Sequence, residues 1–305
     1  MFPRWTNTAA CATATVAALL SSGAASTTAQ AAPSHCPGIH VVAIPGTWET
    51  SKSEPGKGML AAVADNLPGN VVTDYVAYTA TAFPWEGEVY GRSKREAVDA
   101  ARWLIADTAQ QCGSTRFALL GYSQGADAAG DLAAEIGTGL GVVSPDRVEL
   151  VGLIADPRRS PTDTLIGPPV PGAGAGGPRL GGFGWLSPHT YTFCAPGDLY
   201  CATPDGDFAA RIAGFFAQIS NPDPALFGNY QQQAGELIDD ALAAGGLGLM
   251  HDQLNNSAYE ERKRQIDEFL ASGAHQSYPS YAIAAGGATP LTWLRQRLVG
   301  LALSR

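Results

Sequence analysis

The stretch Leu119-Leu120-Gly121-Tyr122-Ser123-Gln124-Gly125-Ala126-Asp127 (LLGYSQGAD) contains a G-x-S-x-G pattern, and its setting decides the fold. Alone the pattern is weak. With 36 Gly in 305 residues and serine at ordinary frequency, about one such chain in four would show it by chance. The flanks carry more information. Arg116 to Leu120 (RFALL) reads as a buried strand, and Gly125 to Ile136 as an Ala-rich helix. Ser123 therefore stands between a strand and a helix, the context in which G-x-S-x-G forms a nucleophile elbow. Gly121 and Gly125 let the helix pack close while Ser123 takes the sharp turn. Gln124 offers its backbone N–H at the helix start, where an oxyanion would form.

Working outward, Ile39 to Ile44 (IHVVAI), Val71 to Tyr78 (VVTDYVAY), Val148 to Ala155 (VELVGLIA) and Tyr191 to Cys194 are further strand candidates. Ser93 to Gln110 has apolar residues at Ala97, Ala101, Leu104 and Ile105, a helical spacing. Near-continuous apolar strands joined by helices imply a parallel sheet covered on both faces. Two segments break the rhythm. Residues 160 to 189 are rich in Pro and Gly (GAGAGGPRLGGFG). No strand enters that run and no helix leaves it, so it reads as a flexible rim loop rather than a nucleotide loop. Residues 206 to 272 are patterned as helices, with breaks near Asn221-Pro222 and Ala244-Gly245-Gly246. The C-terminal stretch Leu291 to Leu303 is amphipathic and reads as a docked terminal helix, with peripheral contact to a lipid surface as the alternative.

The net charge of -9 argues against a nucleic-acid partner. Residues 1 to 31 read as a secretion signal: Arg4 supplies a positive start, Cys11 to Ser21 a short apolar run, and Ala29-Gln30-Ala31 a cleavage site. The run is shorter than the roughly 18 apolar residues of a membrane span. Export would remove Cys11 and leave Cys36, Cys112, Cys194 and Cys201, an even set that reads as two disulfides with three possible pairings. The short span from Cys194 to Cys201 suggests a loop staple, leaving Cys36 and Cys112 as a long clasp. The spacings and the absence of a matching His pair argue against a zinc site.

A serine nucleophile needs a base and an acid that orients it, in the chain order Ser, Asp or Glu, His for this kind of elbow. His35, His40 and His189 precede the best acid, and His40 belongs to a strand. Of the remaining two, His251 lies inside the helical block, whereas His275 lies in the loop-like SGAHQSYP after it and is the preferred base. Asp198, inside Cys194-Ala195-Pro196-Gly197-Asp198-Leu199-Tyr200-Cys201, is the preferred acid. A disulfide closing that loop would remove about 2–3 kcal/mol of unfolded-chain freedom and hold the carboxylate. Asp156, followed by Pro157-Arg158-Arg159, reads as a capped strand end with arginine partners.

At this point the chain resembles the cutinase family of serine esterases. The likeness rests on GYSQG at Ser123, CAPGDLYC around Asp198, His275-Gln276-Ser277-Tyr278, and the Cys36 and Cys112 pair. CPGIHVVAIPGTWE and GPRLGGFG are more similar to the larger cell-envelope members of mycolic-acid actinobacteria, described as esterases, phospholipases or thioesterases. The resemblance implies a doubly wound α/β-hydrolase sandwich of three layers, with five parallel strands in the order 2-1-3-4-5. It also implies a Ser123–Asp198–His275 triad and an oxyanion hole drawn from Gln124 and Thr47.

The expected protein is thus one exported catalytic domain over residues 32 to 305, a monomer without metal or organic cofactor, acting on a lipid or other ester with apolar acyl groups. Small cutinases place the His shortly after the Asp loop. Here the helical block intervenes, and it could cap the serine, bind acyl chains or pack on the flank. Phe208, Phe215, Phe216, Leu226, Phe227 and Leu237 could line an acyl site, with core packing as the plainer reading. A non-catalytic lipid-binding protein on the same scaffold and an acyltransferase remain the rival functions.

Overall fold

Every residue of β1 (Ile39–Ile44) is buried, so this strand has to lie inside a sheet covered on both faces. β2 (Val71–Tyr75) and β3 (Arg116–Tyr122) flank it, and β4 (Val148–Ile154) and β5 (Thr190–Phe193) follow, giving the order β2-β1-β3-β4-β5. All neighbouring pairs are parallel, with Ile39 opposite both Val71 and Arg116, and Val151 opposite Thr190. The computed structural model describes residues 36–246, 248, 252 and 256–304, which belong to one unit, His35–Arg305. The expected signal segment, His35 and His251 lie outside the described residues.

Alternation along the strands divides the core in two. Ile39, Val41, Ala43, Ala118, Leu120, Leu150 and Ile154 face one side. There α1 (Ala61–Ala64) and α7 (Pro290–Leu303) cover them. Val42, Ile44, Phe117, Leu119, Val151 and Leu153 face the other, under α2 (Tyr90–Gln111) and α3 (Gln124–Gly137). These three layers are the expected doubly wound α/β-hydrolase sandwich. The C-terminal helix is docked: Leu291, Leu294, Leu298 and Ala302 are buried, and a methyl on Gly152 of β4 would press against the Leu294 side chain. Among the described residues no helix is long and apolar enough to cross a membrane.

β2 ends three residues before the expected Tyr78. Val76 donates its N–H to Ala43 O, and the chain then turns so that the buried Tyr78 hydroxyl reaches Pro45 O at 2.8 Å. The helical block resolves into α4 (Phe208–Gln218), α5 (Phe227–Ala243) and α6 (Asn256–Ser272), with breaks at the two expected places. The six apolar residues singled out in it do not share one environment. Phe208 is buried, Phe215 and Leu237 line a cavity of about 230 Å³ that no triad candidate borders, and Phe216, Leu226 and Phe227 are exposed.

Both disulfides are present. Cys36–Cys112 ties the approach to β1 to the end of α2 with Cα atoms 5.5 Å apart, and Cys194–Cys201 closes the loop after β5 at 5.8 Å. Leu294→Ala should destabilise the protein by about 2–5 kcal/mol in chemical denaturation, because it empties a fully buried site against β4.

Candidate active site

The parallel sheet reverses its winding between β1 and β3, and loops leaving the carboxyl ends of such strands border the natural crevice. Ser123 leaves β3 there with φ 55° and ψ -122°, a conformation that an L-residue holds only when its surroundings enforce it. Its N–H is tied to Ile154 O at 2.9 Å, and its carbonyl accepts from Ala126 and Asp127 in the first turn of α3. A methyl group on Gly121 would overlap the backbone of Gly125 and Ala126, and one on Gly125 the carbonyls of Ile44 and Pro45. The two glycines of the motif are thus clearances for a helix pressed onto two strand ends.

The structure brings together the three side chains singled out from the sequence. His275 Nε2 lies 2.9 Å from Ser123 Oγ, and His275 Nδ1 lies 2.9 Å from Asp198 Oδ2. Asp198 is fully buried, and its Oδ1 accepts the Tyr200 N–H at 3.1 Å, inside the loop closed by Cys194–Cys201. His275 sits on a short 3-10 turn, Ala274–Gln276, which follows α6 through Gly273 at φ 65°. α6 thereby delivers the imidazole to the sheet edge.

Thr47 lies beside Gln124, with its Oγ1 3.5 Å from Gln124 Oε1. Its turn is braced by Glu49, whose carboxylate accepts from Gly46 N at 2.8 Å and Met59 N at 2.9 Å. The Gln124 side chain is buried, donating to Thr81 O and accepting from Ser93 Oγ. Its backbone N–H opens α3, where first-turn N–H groups have no partner within the helix. The Thr47 hydroxyl and the start of α3 thus lie next to each other.

Three tyrosines were not assigned from the sequence. Tyr122 stacks on His275 at 5.2 Å between ring centroids and donates its hydroxyl to His275 O at 2.7 Å; Tyr200 covers the other approach at 4.5 Å. Tyr278 reaches Asp198 Oδ2 at 2.6 Å. Burial pushes all three phenols above their ordinary range. Only the spacing of Tyr278, three residues after His275 across one turn, could have signalled a shared site. Phe269 near the end of α6 packs edge-on against Tyr200, so the helical block also touches the site through a side chain.

The arginine partnership of Asp156 takes a different form from the expected one. Arg158 contributes its backbone N–H at 3.0 Å, and Arg159 turns away to Cys201 O. The side-chain partner is Arg179, from the glycine-rich segment read as a rim loop, at 2.6 Å. Arg179 is buried and also meets Asp131 and Asp127, where Lys94 and Gln218 converge. That segment is therefore pinned, and α4 is tied through Gln218 to the helix that carries Ser123 at its start. Burial raises the carboxyl of Asp156 against the pull of Arg179. At Asp131 burial opposes ionisation, but Lys94, Arg158 and Arg179 prevail and hold the carboxyl well below its ordinary range.

A decoy lies elsewhere. His40 Nε2 is 2.9 Å from Asp74 and its Nδ1 2.8 Å from Thr108 Oγ1, but the buried His40 stands near the amino ends of β1 and β3, remote from the helix start at Gln124, and Asp74 is half exposed.

Sheet order and the strand–turn–helix at its switch point define an α/β hydrolase. The family model described as Cutinase matches residues 35–220, and the chain belongs to the cutinase family. It is accordingly a carboxylic ester hydrolase. The match spans Ser123 and Asp198 and stops before His275. A protein described as carboxylesterase Culp6 homolog, from Corynebacterium glutamicum, is 34% identical over 209 residues, 56% of this chain and 67% of that protein. Among solved structures, the catalytic core domain of acetyl xylan esterase from Trichoderma reesei is 22% identical, covering 67% of this chain and 98% of its own, with a TM-score of 0.47. Lysin B from Mycobacteriophage D29 is 17% identical, covering 89% and 100%, with a TM-score of 0.45.

Reduction of Cys194–Cys201, verified by thiol labelling, should lower ester turnover while circular dichroism stays native, because the loop then no longer fixes Asp198. Arg179→Met should destabilise the fold by about 3–5 kcal/mol near neutral pH, since it strands buried carboxylates. The raised carboxyl of Asp156 favours folding on the acid side and loses that contribution as pH rises through its folded value. Protonating it in acid therefore relieves the variant, and the gap to wild type in denaturant titrations should narrow as pH falls.

Proposed function

We propose that the protein is an exported serine esterase in which Ser123, His275 and Asp198 hydrolyse carboxylic esters with apolar acyl groups through an acyl-enzyme. The observation that carries this reading is the unbroken line from Ser123 Oγ through the His275 ring to the buried Asp198 carboxylate. Ser123 Oγ attacks the ester carbonyl while Nε2 takes its proton, and Asp198 steadies the imidazolium through Nδ1–H. The carbonyl oxygen, now an anion, is received by the N–H of Gln124 and by the N–H and hydroxyl of Thr47. Nε2 returns the proton to the departing alcohol, and water repeats the sequence on the acyl-enzyme.

The apolar acyl preference is drawn from the rim. Trp48 (69% exposed) follows Thr47 in the chain, Trp85 (79% exposed, stacked on Phe83) adjoins Glu86, the partner of the Trp48 indole, and half-exposed Tyr200 packs against His275. Trp48 N–H donates to Ala80 O and its indole to Glu86, which holds the two rim loops together. Such exposed aromatic residues favour apolar acyl chains and lipid-bound esters over small polar ones. The Corynebacterium relative is described as a carboxylesterase, which agrees with hydrolysis of a carboxylic ester. The signal-like first 31 residues and the two disulfides support export, with residues 32–305 as one catalytic domain bearing its helical insertion before His275.

Hydrolysis of a p-nitrophenyl ester series should rise in kcat/KM from acetyl to medium acyl chains. Ser123→Ala should reduce kcat by about 10⁴-fold or more. Wild-type rates in Ser123→Ala would overturn the assignment, and a preference for acetyl over every longer chain would overturn the acyl reading.

A further inference from the structure

Resting on the triad reading above, the geometry points to Tyr278 as a positioning residue of the reaction. Its hydroxyl shares Asp198 Oδ2 with His275, fixes the rotation of the carboxylate, and moderates the pull of the carboxylate on the imidazolium.

The direction of the shared bond follows from counting partners. The Tyr278 hydroxyl has one proton and accepts from the Ala195 N–H at 3.1 Å. Its two possible acceptors are the disulfide sulfur of Cys201 at 3.5 Å and Asp198 Oδ2 at 2.6 Å, and the near carboxylate oxygen, which also accepts from His275 Nδ1 at 2.9 Å, takes the proton. Oδ1 is held by the Tyr200 N–H. Asp198 and Tyr278 are both fully buried, so water does not substitute for any of these donors. One buried negative charge is thus divided among three donors, two of them on the same oxygen. A donor to the charged carboxylate stabilises that form and weakens its hold on any neighbouring cation. Tyr278 lets Asp198 orient the imidazole without retaining the proton that must pass on to the leaving alcohol.

The groups facing the pair do not supply this role. Tyr122 from β3 stacks on the imidazole, Tyr200 from the stapled loop packs against it at a tilt, Glu49 braces the turn of Thr47, and Tyr281 packs edge-on against Tyr278. Arg159 lies on the far side of Tyr278, with its guanidinium on backbone carbonyls. Burial raises Tyr122, Tyr200, Tyr278 and Tyr281, so none of them titrates on the acid side of the profile.

The test is the pH profile of ester hydrolysis by Tyr278→Phe. With Oδ2 left to His275 alone, the imidazolium is favoured. The acid limb of kcat/KM should move to higher pH by about half a unit or more, and kcat on the plateau should fall about three- to tenfold with KM within twofold. The imidazole Nδ1–H proton resonance should also move downfield. A limb that stays in place or moves to lower pH in a folded variant would overturn the proposal. Should Tyr278→Phe not fold, 3-fluorotyrosine at position 278, a stronger donor of the same shape, should move the limb to lower pH, and an unmoved limb would contradict the assignment. Ser123→Ala serves as the separate control. Turnover surviving there sinks the triad reading itself, whereas an unmoved limb in an active position-278 variant sinks only the role of Tyr278.

Discussion

Ser123 is held at φ 55° and ψ -122° between a buried strand and a buried helix, and the rest of the site is arranged around that one conformation. Such a backbone state costs about 1–3 kcal/mol and persists only where neighbours over-determine it. Here they do so from three sides. Ile154 holds the Ser123 N–H, the first turn of α3 holds its carbonyl, and the missing side chains of Gly121 and Gly125 let the helix approach the ends of β1 and β3. The same turn lifts Oγ out of the sheet and places the Gln124 N–H beside it. Relaxing the turn would displace the Ser123 side chain and the start of α3 together.

Everything else in the site meets that fixed point from a separate element. The loop after β5 contributes Asp198 under a disulfide, the loop after β1 contributes Thr47 braced by Glu49, and the turn after α6 contributes His275 between two tyrosine rings. The helical block has a structural consequence of its own. It supplies the run-in to His275, touches Tyr200 through Phe269, and is locked to α3 by Gln218 within the Lys94, Asp127, Asp131 and Arg179 cluster. Removing one member of such a buried ionic cluster leaves uncompensated charge behind and is strongly destabilising.

Much of this was legible in the sequence because the signals were local. Continuous apolar runs marked β1, β3 and β4, and the glycines around Ser123 marked the elbow. Two closely spaced cysteines marked the loop that holds Asp198, and a loop-like stretch after a helix marked the turn that carries His275. What escaped was non-local. Arg179 looked like part of a flexible glycine-rich loop because its carboxylate partners lie on α3 and after β4, and sequence distance hides such pairs. Tyr278 was visible as a residue but not as a partner of Asp198, eighty positions earlier. The six apolar residues read as core packing or an acyl lining separated into one buried, two around a cavity and three exposed, because helical periodicity gives a face but not what the face meets.

The proposed mechanism requires the strained turn to present Ser123 Oγ to His275 with the oxyanion donors already in place. A crystal structure of the protein inactivated by an alkyl phosphonate tests it most directly. The account predicts a covalent bond to Ser123 Oγ, with one phosphonyl oxygen within hydrogen-bond distance of the Gln124 and Thr47 N–H groups and the alkyl chain against the Trp48 and Trp85 rim. An adduct on another residue, or a phosphonyl oxygen directed to solvent away from Gln124, would contradict it.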